Sequence, residues 1–276
     1  MLDLTSQNAL QNQSSSSPLI NTPKAESGLF KMPNEKLKGI SERAKQLWVV
    51  CYVNQEGKNP LRDQAVSDIE ASMEGGADAV ILINEWSSLA ELEDTLTFVR
   101  PRYPKVPMGV NYLGDDAEPY GFLDSFRLAR EHDLKVVWTD FAGVDQINEK
   151  PDVDLQKIEA ARYHPAFYCS GVHMKYSTLR DPSKTIEQSA LQALGWVDGV
   201  IVTGPKTGIP CDPETAKRAK AAIGQLPLGV ASGVSPDNVH TIRDFMSFFL
   251  VASSLQDERK RIVRSKVEAL RRALDA

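Results

Sequence analysis

Eight apolar, β-branched runs punctuate the chain, and each ends in a small polar or ionisable residue ahead of a stretch with helical character. The runs occupy 47–53, 79–83, 106–110, 136–139, 166–172, 197–202, 228–231 and 248–252. Their polar endings are Asn54, Asn84, Asn111, Asp140, His173, Thr203, Ser232 and Ser253. Runs of Val, Ile, Leu and Ala that do not alternate with polar residues mark strands buried on both faces, as in a parallel sheet covered by helices. Eight such units are the number that closes a (β/α)8 barrel, an α/β fold whose chemistry sits at the C-terminal ends of the strands. The pattern therefore predicts a single-domain TIM barrel with its polar endings gathered on the functional rim.

Helix boundaries are marked by capping chemistry. Asn59 with Pro60, Ser87 with Glu91, Asp212 with Pro213 and Ser235 with Pro236 are expected to open the first, second, sixth and seventh helices. A side-chain oxygen satisfies orphan N–H groups there, and a proline presets φ for the first turn. The last segment, 257–276, carries Val263, Val267, Leu270 and Leu274 on one stripe and seven Arg and Lys residues from Arg259 to Arg272 elsewhere. That is the pattern of an eighth barrel helix with a solvated basic face, and it also suits peripheral attachment to an anionic membrane surface. Residues 1–36 are of another kind, polar and aperiodic, with a serine run at 14–17 and prolines at 18, 23 and 33. They are expected to form a disordered tail ahead of a barrel domain at 37–276. The tail lacks the apolar core of a secretory signal, and no Arg precedes Arg43, against a transit peptide.

Charge and composition narrow the partners. A net charge of -5 provides no overall positive field to displace counterions from phosphates, which argues against non-specific nucleic-acid binding. No apolar run approaches the roughly 18 residues needed to span a bilayer. The expectation is a soluble, cytoplasmic protein, with peripheral membrane association as the one membrane option. Three cysteines, Cys51, Cys169 and Cys211, are an odd number without metal-type spacing and read as free thiols. Cys51 and Cys169 fall inside strands and are expected in the core, whereas Cys211 precedes a helix N-terminus where a thiolate could be stabilised.

The acid/base candidates lie in the fourth and fifth units. Asp140 ends its strand, and His173 and Lys175 are two residues apart, a spacing that sends both side chains the same way in a strand. A rim lysine can form a Schiff base or hold a phosphate or carboxylate, and the histidine can carry a proton. Equally, Lys175 could stand in solvent with His173 a hydrogen-bonded rim residue. Asn84, Asn111 and Thr203 suit orientation of a small polar ligand by hydrogen bonds, although asparagine also serves turns for local reasons. Ser232 and Gly233, leading to a helix expected near Ser235, together with Ser253 and Ser254, point to anion binding after strands seven and eight. Asp237 adds an opposing charge, and capping without a ligand is the competing reading. The loop Thr203, Gly204, Pro205, Lys206, Thr207, Gly208 is not a Walker A loop but could fold over an anion, with Lys206 as a second cation.

Taken together, these rim segments resemble the BtpA/SgcQ family. The resemblance runs through GGADAVILIN at 75–84, PMGVNYLGDDA at 107–117, GVHMK at 171–175, DGVIVTGPKTGIPCD at 198–212 and SGVSPDNV at 232–239. It implies a TIM-type barrel related to phosphate-binding barrels, and the family's namesake role, support of photosystem I accumulation at the thylakoid surface. By position, Asn84, Asn111, Asp116, His173, Lys175, Thr203, Gly204, Thr207, Gly208 and Gly233 match the family pattern. The chain departs from it at 54–57, at Gly114, at Ser170 and Gly171, and at 252–256.

Two functions follow from this reading. In one, the protein binds a small phosphorylated or carboxylated metabolite, with Lys175 as nucleophile or anchor, Asp140 and His173 in proton transfer, and Ser232, Gly233 and Ser253 near the anion. In the other, it is a non-catalytic assembly or stability factor for a protein complex. The sequence names no substrate, cofactor or metal, and it is compatible with a homo-oligomer.

Overall fold

The structure is a computed structural model that describes residues 32–53, 61–85, 87–114, 121–144 and 164–276. Eight parallel strands follow one another around a closed barrel. They are β1 (Gln46–Val53), β2 (Ala79–Asn84), β3 (Met108–Asn111), β4 (Val136–Thr139), β5 (Phe167–Gly171), β6 (Gly199–Val202), β7 (Leu228–Val230) and β8 (Phe248–Val251). Closure comes from β8 lying beside β1, with Gln46 opposite Phe248 and Val49 opposite Val251. The described helices are α1 (Pro33–Lys38), α2 (Leu61–Glu74), α3 (Leu89–Val99), α4 (Phe122–Glu131), α5 (Ile186–Ala193), α6 (Pro213–Ile223) and α7 (Arg264–Asp275). Asn54, Asn59, Pro60 and Asp116 lie outside the described residues.

Because both faces of every strand are covered, parity rather than hydropathy decides direction. Leu47, Val49, Cys51 and Val53 of β1 join the apolar layer under the helices, while Trp48 and Val50 belong to the barrel interior. The interior is filled by an aromatic trio. Trp48 stacks on Phe248 at 4.4 Å, and Phe167 meets both edge-on, at 5.7 and 5.5 Å. Glycines on neighbouring strands make the room: a Cβ on Gly229 would stand 2.1 Å from Phe248 Cε2, and one on Gly199 2.7 Å from Phe167 Cζ. Large residues facing small ones are how a small barrel packs to interior density.

The N-terminal end of the barrel is plugged by α1, which corrects the expected boundary at residue 37. Pro33 already begins the helix, and Glu35 accepts the Met32 N–H at 3.0 Å. Leu37 and Ile40 join the interior cluster. The buried Lys36 donates to Asp198 at 2.8 Å and to the His164 carbonyl at 3.1 Å. Gln46 ties the plug to the trio, donating to the Leu37 carbonyl and accepting from Trp48 Nε1. Residues 33–36 are thus part of the barrel domain rather than of a tail.

Two other expectations for the helices change. The cap of α3 is Ser88, not Ser87: Ser88 Oγ accepts the Glu91 N–H at 3.2 Å, while Ser87 Oγ donates to the Val53 carbonyl. Asp212 caps α6 as expected, accepting the Thr215 N–H. No α-helix joins β7 to β8; 3-10 turns at Val239–Thr241 and Arg243–Phe245 stand where the seventh helix was expected. Asn238 is the physical reason, since it accepts the Ser235 N–H at 2.9 Å and donates to the Gly233 carbonyl at 2.8 Å. Such side-chain bonds compete with helical ones.

The last helix starts at Arg264, because Asp257 first collects the N–H groups of Arg259 and Arg261 in a turn. Val267, Leu270 and Leu274 are buried as the apolar stripe requires. Two of its cations are engaged internally: Arg264 pairs with Glu74 and Glu268, and the buried Arg271 with Asp78 and Asp275. Just before it, Arg261 lies 3.0 Å from Asp68 of α2, whose other oxygen accepts the Ile262 N–H. Among the described residues no helix is long and apolar enough to cross a membrane.

Candidate functional site

The chain turns at the C-terminal ends of the strands enclose a cavity of about 320 Å³. Its floor is made by interior-facing residues near the strand ends, Val50, Tyr52, Trp138, Ala231 and Leu250. Its walls are Lys175, Thr207 and Gly208 on one side, and the turns 232–235 and 252–254 on the other.

The two turns after β7 and β8 are held by side chains, which leaves their backbone donors unused. Ser232 Oγ points its hydrogen between the Lys206 and Ile209 carbonyls, at 2.9 and 3.1 Å. Ser254 Oγ donates to the Val234 carbonyl at 2.6 Å, bracing one turn on the other. Gly233 has φ +61°, and a Cβ there would stand 2.2 Å from the Ile209 carbonyl carbon, so only glycine fits. Among the described residues, the N–H groups of Gly233, Val234, Ser253 and Ser254 have no hydrogen-bond acceptor. The helix N-terminus expected to hold an anion near Ser235 is replaced by turns. The donors belong to two braced turns, not to a helix N-terminus.

Lys175 faces the same cavity. Its backbone N–H donates to Thr203 Oγ1 at 3.1 Å, and its ammonium makes no ion pair or hydrogen bond among the described residues. The neighbouring Tyr176, 74% exposed at φ +63°, clasps the β6 loop by accepting the Thr207 N–H at 3.1 Å. His173 does not share the face of Lys175, which corrects the period-two expectation. β5 ends at Gly171, His173 adopts φ +48°, and its Nε2 lies 2.9 Å from Ser189 Oγ on α5, away from the cavity. The pleat dictates direction only inside the sheet. Met174 folds back over Gly171, where a Cβ would stand 2.2 Å from the Met174 sulfur.

Asp140 follows β4 at the interior-facing parity and accepts from Asn111 Nδ2 at 3.0 Å. Burial raises its pKa above the usual carboxylate range, against the lowering effects of the Asn111 hydrogen bond and the Lys175 charge. The Oδ1 of the fully buried Asn111 has no hydrogen-bond partner among the described residues. Burial, with the negative charges of Glu85 and Asp140, pushes the Tyr52 phenol to about 12.

The remaining sequence candidates take structural places. Asn84 shares the outward parity of Val80 and Leu82, and its amide is used locally. It donates to the Ser87 carbonyl at 3.0 Å and accepts the Leu113 N–H at 2.7 Å, so it organises two loops and does not line the cavity. Gly204 lets the Ile209 carbonyl approach, since a Cβ would stand 2.0 Å from that oxygen. Lys206 is exposed and serves Ser232 with its carbonyl, while Thr207 and Gly208 of the same loop reach the cavity. Ser253 lines the cavity. The Cys211 thiol is buried and raised to about 12, which removes the stabilised-thiolate option. Tyr52, Trp138 and Asn238 escaped sequence reasoning; interior parity near a strand end is the signal that marks the first two. Among the described residues, no three potential metal-ligating side chains of the His, Cys, Asp and Glu types converge.

No family model matches the chain. It is 27% identical over 224 residues to an uncharacterized protein of Pyrococcus abyssi, an alignment that covers 75% of this chain and 83% of that protein. A second uncharacterized protein, from Pyrococcus horikoshii, is 27% identical over 218 residues, covering 75% and 82%. Among solved structures, the chain is similar to a tryptophan synthase alpha subunit from Legionella pneumophila, with a TM-score of 0.59 and 16% identity over 88% of this chain and 98% of that one. It is also similar to a thiamine phosphate pyrophosphorylase from Pyrococcus furiosus, at 0.57 and 15% over 83% and 95%. A phosphoribosyl anthranilate isomerase from Thermus thermophilus gives 0.55 and 15% over 83% and 98%. At these identities the likeness establishes the fold. The protein is a (β/α)8 barrel.

Proposed function

We propose that the protein binds a small phosphorylated or carboxylated metabolite in the rim cavity. One observation carries this reading: four backbone N–H groups on two adjacent braced turns, and a lysine whose ammonium makes no ion pair or hydrogen bond among the described residues, border one cavity. Oriented backbone donors and a cation together are what an anion needs to leave water. Similarity of fold to proteins named for thiamine phosphate and phosphoribosyl compounds supports a phosphorylated ligand. Lys175 anchors the anion, and Asp140, whose raised pKa brings it closer to neutral pH, is the proton carrier. His173 positions the loop through Ser189 rather than meeting the ligand.

The test is a thermal-shift and titration screen with inorganic phosphate, sugar phosphates, nucleotides and carboxylates. A ligand at a hundred times its Kd raises stability by about 2.7 kcal/mol. Lys175→Ala is expected to weaken binding about tenfold, the effect of removing one charge-assisted contact of about 1.4 kcal/mol. A flat response to the whole panel sinks the proposal.

The BtpA/SgcQ resemblance carries a second reading, a non-catalytic assembly or stability factor acting on a protein complex or at a membrane surface. The exposed apolar residues Leu191 and Leu194 at the end of α5 favour it. Replacing both with Ser and assaying capture of partners by the full chain tests that reading without touching the cavity.

A further inference from the structure

We infer that the ligand of the rim cavity is a compact, flat, weakly polar molecule carrying the anion, such as an aryl phosphate or aryl carboxylate, and not a polyhydroxylated sugar phosphate. This rests on the anion reading above and concerns the inner end of the same cavity. There the wall consists of Val50, Ala231, Leu250 and the rings of Tyr52 and Trp138. Each sugar hydroxyl brought against such a wall gives up its bonds to water, and one left unmatched weakens binding. A ring loses little there and gains the apolar contact area of two aromatic side chains.

Two polar groups interrupt the apolar wall, and both favour one acceptor atom on the far side of the ring. Trp138 is 7% exposed, and its Nε1, a donor only, has no hydrogen-bond partner among the described residues. A buried indole N–H ordinarily has one. The Tyr52 phenol stays protonated across the physiological range, so it adds no charge to the inner end. Lys175, at the rim, is the charged side chain among the described residues lining the cavity. The ligand's charge therefore belongs at the rim end and its body at the neutral end. A cavity of about 320 Å³ stands at the low end of the roughly 300–1,000 Å³ typical of small-molecule sites, room for one ring system.

Calorimetric titration of the full chain with four probes tests the inference: phenyl phosphate, benzoate, ribose 5-phosphate and inorganic phosphate. The expected result is that phenyl phosphate binds at least tenfold more tightly than ribose 5-phosphate, with quenching of tryptophan fluorescence that inorganic phosphate does not reproduce. Benzoate exceeding both non-aromatic probes supports the same class with a carboxylate as its anion. Ribose 5-phosphate binding as tightly as phenyl phosphate or more so overturns the inference and leaves the anion reading intact. No binding of any probe overturns both. Trp138→Phe, which keeps a ring, is expected to remove the fluorescence response to phenyl phosphate. A response that persists in that variant places the ring elsewhere and overturns the assignment to this wall.

Discussion

A carboxyl group out of contact with water keeps its proton to a higher pH, and Asp68 is the plainest case in the molecule. It is 1% exposed, and burial raises its pKa to about 6 despite the Ile262 N–H and the Arg261 charge, with Asp257 adding to the rise. The folded form then holds a proton that the unfolded form, at 3.8, has released. Stability contributed by the protonated form is present below about pH 4 and is lost as pH rises through about 6, by about 3 kcal/mol. Urea unfolding of the wild type and Asp68→Asn across that interval is expected to show a difference that changes with pH. Parallel curves would refute the assignment. This pairing was invisible in the sequence, because Asp68 and Arg261 belong to separate elements and only barrel closure brings α2 beside the segment that follows β8.

At the scale of elements, local signals were readable wherever local bonds decide the outcome. Asp212 followed by Pro213 opened α6 as its chemistry requires, and the α3 cap was displaced by one residue because Ser87 and Ser88 offer the same hydroxyl. The seventh unit defeated that reasoning. Ser235 with Pro236 has the look of a helix start, yet Asn238 captures the Ser235 N–H for a turn. Asn238→Ala is expected to cost about 1–2 kcal/mol through two lost hydrogen bonds and to weaken phosphate binding with it, since the Gly233 turn loses its brace. Titration with phosphate, alongside chemical unfolding, checks both effects. For α1, Lys36→Met removes the ammonium that pairs with the largely buried Asp198 carboxylate. The expected loss is about 3 kcal/mol, or roughly 6–12 °C in Tm, read by calorimetry.

Over the whole molecule, the barrel interior sets the strictest limit on sequence. The aromatic trio of Trp48, Phe167 and Phe248 fills its N-terminal half, and the rim cavity begins above it, where Val50, Tyr52 and Leu250 succeed the larger rings. Gly229→Ala pushes a methyl group into Phe248 and is expected to destabilise by about 1–3 kcal/mol. Denaturant unfolding measures this, and an unchanged midpoint would show that the trio can shift. Because the trio is the floor support of the cavity, the same variant is expected to reduce ligand affinity even though it lies outside the lining.

The sequence by itself determined the number of strands, their order and the rim on which polar residues stand. Those follow from short-range facts: an apolar run too continuous for one-sided burial, repeated eight times between helical segments. Tertiary structure alone decided which rim residues meet. Asn84 faces out and Asn111 in because their strands place opposite parities at the rim, and His173 parts from Lys175 because the chain leaves the sheet two residues before the histidine. The cavity itself joins Lys175 after β5 to turns after β7 and β8, with β1 and β4 beneath. Closing the barrel places those segments together, and the spacing of residues along the chain carries no record of that closure.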